Sequence, residues 1–451
     1  MEAPLTYARV DRDLLTTLRA PGRLYYALLA VDLAVLGWAI YAWRYQLTTG
    51  LGVAGITHPV MWAVYITNFV FWVGIAHSGT LISAILYLFR VRWRPPVYRS
   101  AEAVTVFALM TAGLFPIIHL GRPWYFYWLL PYPQMGGLWI NFRSPLIWDV
   151  FAVLTYMTVS VIFFFTGLVP DVAVARDQAT GWRRRIYGLL AQGWQGTDRQ
   201  WRHYTSAYLL FAGLATALVV SVHSVVSWDF AMAILPGWHS TIFAPYFVAG
   251  AIHSGLAMVL ALLIPLRRAF RLEAYLTPDH LERLAQLTIV TGLIVGYAYM
   301  VEYGMAWYTG DPAEQASFLW RATGHYAWAF WLMVGGNVCA PLAFCVRQVR
   351  RSTPWLLGIS VLIIIGMWFE RFVIIVTSLA RDHDPFTWGL YRPTWVELSI
   401  TAGSFAWFFL WFLLFAKTLP VVSLWEMKEL LPVPRRHGRG PVQEGPAGRQ
   451  P

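Results

Sequence analysis

The stretch TIFAPYFVAGAIHSGLAMVLALLI (241–264) runs for 24 residues without an Asp, Glu, Lys or Arg, and then meets Pro265, Arg267 and Arg268. An α-helix needs about 20 apolar residues to cross the hydrocarbon of a bilayer. Basic residues just past such a run mark the end that stays in the cytoplasm. Nine more runs of this kind lie on either side, at about 24–43, 60–89, 101–119, 145–168, 204–227, 286–307, 323–345, 355–378 and 395–420. The expectation is an all-α polytopic membrane protein with ten transmembrane helices. Composition points the same way: of 451 residues, 58% are apolar and only 13% charged, against about 25% charged in soluble domains. The 25 Trp, 23 Tyr and 27 Phe suit membrane interfaces and flat apolar ligands.

The net charge of +11 and the isoelectric point of about 9.7 admit nucleic acid, a membrane surface or membrane topology as causes. Position decides between them. Of the 34 basic residues, 27 fall in the N-terminal segment, the 90–100, 169–203, 265–285 and 346–354 loops, and the C-terminal end. Six fall in the alternate loops, and one, Arg371, lies inside a run. The charge is therefore read as topology, with both termini in the cytoplasm of a bacterial inner membrane and no nucleic-acid partner. Residues 1–23, with Arg9, Asp11, Arg12, Asp13, Arg19 and Arg23, read as a cytoplasmic segment and not a signal peptide. The tail 434–451, rich in Pro, Gly and Arg, reads as disordered and cytoplasmic. Cys339 and Cys345 have neither haem nor iron–sulfur spacing and are expected to be packing residues.

The second and sixth runs carry matching motifs, GIAHSG (74–79) and GAIHSG (250–255), at a constant offset of 176 residues. Four helices separate the copies, so the repeat is parallel. The expected organisation is two four-helix bundles, helices 2–5 (60–227) and helices 6–9 (241–378), flanked by peripheral helices 1 (24–43) and 10 (395–420). A plainer reading keeps the motifs as small-xxx-small packing surfaces, Gly74/Ser78 and Gly250/Ser254.

Ionisable groups inside hydrocarbon are costly and so are functional candidates. His119 closes helix 3 at the outer face, Asp149 starts helix 4, and His223 and Asp229 end helix 5. Arg371 lies in the outer half of helix 9. After His119 comes LGRPWYFYW, with Arg122, Trp124, Tyr125, Phe126, Tyr127 and Trp128. A flat ring could pack on those aromatic faces while His119 and Asp149 hold its polar ends. Quinol suits this arrangement, because its oxidation releases two protons with two electrons, and a neutral His and a carboxylate can each take one proton. Arg371 could pair with Asp229 or Asp149. Plainer readings stand beside these: an interfacial His119, a helix-starting Asp149, an aromatic belt, a loop Asp229, and a structural pair of Arg371 with Glu302 or an Asp. Asp32, His77, His253, Glu302 and Glu370 lie deeper, and Glu397 begins helix 10. The deeper set could relay protons or could be satisfied core groups. The residues alone also leave open a haem b membrane anchor, through the helical histidines, and a transporter built on the repeat. No metal site is expected.

At AHSGT (76–80), FPIIHLGRPW (115–124), SPLIWDV (144–150), VHSVVSWDFA (222–231), PGWHSTIFAPYFVAGAI (236–252) and WFERFVIIV (368–376), the chain resembles the NrfD/PsrC family of quinone-interacting membrane subunits. Within it, the chain looks like ActC, the ten-helix membrane component of bacterial alternative complex III. The resemblance implies a quinol site, for menaquinol, near the periplasmic face, with no haem or iron–sulfur cluster in this chain. It assigns His119, Asp149, Asp229 and Arg371 to catalysis; the reading by depth and aromatic run adds Arg122, Trp124, Tyr127 and His223 to the quinol pocket. The implied partners are c-type haem subunits, a periplasmic iron–sulfur subunit, a second NrfD-like membrane subunit and lipid. Proton translocation through the bundles would employ Asp32, His77, His253, Glu302 and Glu370.

Overall fold

A computed structural model of the chain describes residues 5–131 and 142–432. The expected tail 434–451 lies outside them. The described residues form helices and turns with no strand. Among them, ten helices are long and apolar enough to cross a membrane: α1 (Arg23–Thr49), α2 (Val64–Leu88), α3 (Tyr98–His119), α4 (Pro145–Gln178), α5 (Asp198–Ala231), α6 (Phe243–Ala269), α7 (Pro278–Thr309), α8 (Ala327–Cys345), α9 (Thr353–Ala380) and α10 (Trp395–Thr418). The chain is a multi-pass membrane protein. Helices α4 and α5 run about three turns and nearly two turns beyond their apolar runs at the basic end. Hydropathy marks the part of a helix that sits in hydrocarbon, whereas the backbone ladder continues into water. Polar caps start several helices. Thr197 with Gln200, Thr277 with His280, and Thr394 with Glu397 exchange side-chain and backbone bonds at the starts of α5, α7 and α10.

Helices α2, α3, α4 and α5 pack in a closed ring, and α6, α7, α8 and α9 in another. The rings meet where α6 lies against α2 and α5, and α2 against α9. Helices α1 and α10 pair with each other, and α10 leans on α3. Enclosure follows this plan: 88% and 83% of the central windows of α2 and α6 are buried, against 6% in α1. The two HSG motifs meet across the joint, where a Cβ on Gly74 would lie 3.6 Å from Ser254 Oγ and 3.7 Å from Ala251 Cα. Small residues here let two helices approach closely, the main source of helix association in lipid. Cys339 and Cys345 are not packed inside, as expected, but exposed on the surface of α8, because the apolar run they sit in faces outward there.

Three of the described helices contain a wide π-type turn: Leu81–Ile85 in α2, Gly335–Cys339 in α8 and Val373–Thr377 in α9. Such turns shift the register of one face and recur near functional groups. At the basic end of the first ring, buried charges are paired. Arg99 contacts Glu102 and Asp171, each at 3.0 Å, and Arg94 contacts Glu426 at 2.5 Å. Asp171 also accepts from the backbone N–H groups of Leu424 and Trp425. These contacts dock the C-terminal helix Leu424–Glu429 on the bundle. Arg94 and Arg99, which count toward the basic side in sequence, therefore also have a packing role.

Candidate functional site

His119 ends α3 after a break at Gly113, which separates Tyr98–Ala112 from Leu114–His119. Two residues on, Gly121 adopts φ of +69°, a left-handed conformation that costs a residue with a Cβ about 1–2 kcal/mol. The chain reverses at this glycine and enters the short helix Pro123–Leu129. That turn brings Phe126, Leu129 and Leu130 to the ends of α2, α3 and α4 opposite the basic loops. Beneath them lies a cavity of about 400 Å³, within the 300–1,000 Å³ range typical of small-molecule pockets. Trp62, Ile66 and Phe69, the 113–120 stretch and Leu146, Val150, Val153 and Leu154 form its apolar walls.

Three polar side chains enter this cavity: His119, Asp149 and Asp229. They come from α3, α4 and α5, separated in sequence but converging at one end of one ring. The carboxyl groups of Asp149 and Asp229 line the same cavity and neighbour each other, and two bare carboxylates in that position would repel. His119 Nδ1, Asp149 Oδ1 and Asp229 Oδ1 are buried without a protein partner. Buried polar atoms without partners are uncommon and costly. Their gathering around an apolar cavity describes a site for a flat apolar molecule with hydrogen-bonding oxygens.

The other expected pocket residues lie elsewhere. Arg122, Trp124 and Tyr127 do not line the cavity, and Trp124 and Tyr127 are exposed. Of the aromatic run, Phe126 does line it. A short helix can turn only one face inward, and the rest of the run covers the surface. His223 is also outside. Its ring is buried against His77, with centroids 4.7 Å apart, and against Phe247. The expected difference in depth between His77 and His223 is therefore absent. Rings in such contact leave no space between them for a haem, so these two cannot be opposite axial ligands in this arrangement.

Arg371 does not reach Asp149, Asp229 or Glu302. It pairs with Glu370 and sits over the Phe247 ring, 4.7 Å from its centroid. Glu370 also accepts from Tyr299 and from Asn337 of the π-type turn in α8. Glu302 pairs instead with Arg321 at 3.2 Å. Arg321 further donates to Thr377, Ser378 and the Gly237 carbonyl. Arg321 reads in sequence as an outer-loop charge, yet it lies on the helix Pro312–Thr323 and is 2% exposed. The amphipathic pattern of that helix was the available signal. His253 contacts Thr291 at 2.9 Å. Asp32 faces a groove between α1, α6 and α10. Glu397 bonds the Gly55 N–H and caps α10. Among the described residues, no group of three or more His, Cys, Asp or Glu could hold a metal ion.

Comparison with known proteins bears on what this site serves. The family described as polysulphide reductase, NrfD, matches residues 52–381. The chain is 28% identical over 420 residues to the membrane subunit of a putative dimethyl sulfoxide reductase of Halobacterium salinarum, covering 87% of this chain and 90% of that one. It is 23% identical to a selenate reductase subunit of Mesobacillus selenatarsenatis, covering 80% and 83%. It is 22% identical to an Hdr-like menaquinol oxidoreductase integral membrane subunit of Archaeoglobus fulgidus, covering 78% and 79%.

Proposed function

The chain belongs to the NrfD family of polysulphide reductase and is a membrane subunit of an oxidoreductase complex, and on that premise we propose that it binds and oxidises quinol in the cavity at the outer end of α2–α5. The observation that carries this reading is the convergence of His119, Asp149 and Asp229 on one otherwise apolar cavity. A quinol ring fits between the apolar walls. One hydroxyl faces His119 and the other faces the Asp149–Asp229 pair. Oxidation breaks two O–H bonds. A neutral His119 takes one proton, and a carboxylate of the Asp149–Asp229 pair takes the other. Two electrons leave to an acceptor on a partner protein of the complex.

The relative named as a menaquinol oxidoreductase subunit supports menaquinol as the quinol. On the resemblance to the alternative complex III component, the acceptor is a periplasmic iron–sulfur subunit, followed by c-type haem subunits beside a second NrfD-like membrane subunit. The basic-residue asymmetry supports an inner-membrane orientation with both termini cytoplasmic and the cavity periplasmic. Arg371, Arg122, Trp124, Tyr127 and His223 then act outside the ring-binding wall. The His77–His223 pair and the Arg371–Glu370 pair lie on either side of the Phe247 ring, with Glu302, His253 and Asp32 lying apart from them. Any proton translocation would use such groups.

The test is quinol:acceptor turnover of the intact complex. Asp149→Asn and His119→Ala should each lower it about 100-fold or more, the scale of a lost general base, while the complex still assembles. Asp149→Asn combined with Asp229→Asn should be little worse than either alone, because the two act as one unit. Near-normal turnover in both single variants would sink the assignment.

A further inference from the structure

Away from the quinol cavity, at the basic end of the molecule, lies a second cleft of about 560 Å³. It opens between the N-terminal segment and the chain that joins α4 to α5. Arg12, Arg19 and Arg183 line it, with the hydroxyl-bearing Thr16 and Thr180. The acid in its lining, Asp11, is engaged by Lys428 at 2.6 Å. Arg183 donates to the Leu18 carbonyl at 2.9 Å, using one of the five N–H groups a guanidinium offers. Arg12 also contacts Asp13 at 3.5 Å and the Thr16 hydroxyl donates to the Asp13 carbonyl, so the excess positive charge of the cleft rests on Arg19 and Arg183, with the Thr180 hydroxyl beside them.

The neighbouring helix Gly181–Leu190 (GWRRRIYGLL) shows what level the cleft occupies. Trp182, Ile186 and Leu189 fall on one face at i, i+4 and i+7, and are 67%, 46% and 79% exposed. Tyr187 faces inward and bonds the Thr418 carbonyl at the end of α10. Arg183, Arg184 and Arg185 surround the apolar face. An amphipathic helix with exposed large apolar side chains and a basic flank lies in the interface plane of a membrane. It begins within three residues of the end of α4, and α1 starts at Arg23, four residues after Arg19. Tyr187 sits level with the end of α10, and Arg19 lies just before the start of α1, which puts both walls of the cleft at headgroup depth.

We propose that this cleft holds the phosphodiester of an anionic phospholipid, with its acyl chains lying against Trp182, Ile186 and Leu189. Charge complementarity selects the phosphate over a zwitterionic headgroup, and the adjacent apolar face selects a lipid over a free anion. The proposal is independent of the quinol reading.

The experiment is native mass spectrometry of the intact detergent-purified complex, titrated with dioleoylphosphatidylglycerol, dioleoylphosphatidylcholine or inorganic phosphate. The wild-type chain should retain phosphatidylglycerol in preference to phosphatidylcholine. Each of Arg19→Gln and Arg183→Gln should weaken that retention roughly fivefold, from the approximate contribution of one basic side chain near an anionic surface. The combined variant should abolish the preference. Arg268→Gln with Arg347→Gln, exposed residues of the same end outside the cleft, should leave it intact. Arg19→Gln alone, at an exposed side chain, serves if the combined variant does not fold. The proposal is overturned if the preference survives the cleft variants, if the control variant loses as much, or if inorganic phosphate displaces the lipid at equal concentration.

Discussion

Arg371 shows how a buried charge is decided at the scale of one residue. A guanidinium in hydrocarbon must find a partner, so its need for one is legible from position alone. The partner is not: the sequence pointed to Asp229, Asp149 or Glu302, and not to Glu370. Glu370, the adjacent residue, takes the role and is held in turn by Tyr299 and Asn337. Removing one member of a buried pair leaves an uncompensated charge and costs about 3–5 kcal/mol, whereas removing both can be nearly neutral. Arg371→Met should therefore lower the melting temperature of the complex sharply, and Arg371→Met with Glu370→Gln should recover most of the loss. Equal instability of the single and double variants would show that the pair does not act in this way. The three cavity groups teach the same lesson. His119, Asp149 and Asp229 were each legible as outer-end polar residues, but their arrival at one cavity wall depended on how α3, α4 and α5 are rotated.

At the scale of the element, the helices were legible to within a turn or two, except where α4 and α7 extend past the hydrocarbon. Motif roles were legible only in part. The sequence assigned no role to Gly121 in HLGRP, whose positive φ makes a side chain there strained. Its consequence, a roof over the cavity, follows from the direction of the reversed chain. Gly79 of the first HSG motif is a close-approach residue, since a Cβ there would lie 2.0 Å from the Ala101 carbonyl oxygen and 2.1 Å from Thr105 Oγ1. Gly79→Ala should force α2 and α3 apart, costing about 1–3 kcal/mol or more by overpacking. Gly213→Ala on α5, where a Cβ would meet nothing within 4 Å, should be neutral or slightly stabilising. Thermal unfolding of the two variants in detergent checks this. A neutral Gly79→Ala would mean that the helices have slack at that joint.

For the whole molecule, the even number of spans and the clustering of basic residues predict both termini on the cytoplasmic side. Reporter fusions at the N-terminus and after residue 432 should be active only in the cytoplasm; an active periplasmic reporter at either end would overturn the orientation. The charge asymmetry is not purely a topological record. Arg94 and Arg99 are buried in ion pairs that dock the C-terminal helix, and Arg12, Arg19 and Arg183 gather at one cleft.

Taken alone, the sequence determined the number of membrane crossings and which loops share a side. Both are sums over local stretches, a run of apolar residues and a count of nearby charges, and the bilayer reads such sums directly. The tertiary structure decided which polar groups meet. Pairing in hydrocarbon depends on helix rotation, crossing geometry and single-turn shifts such as the π-type turns of α2, α8 and α9. A change of one residue in register moves a side chain about 100° around its helix. No composition or spacing along the chain carries that information, so the Glu302–Arg321 pair, the His77–His223 contact and the shared cavity of His119, Asp149 and Asp229 emerge only when the ten helices are packed together.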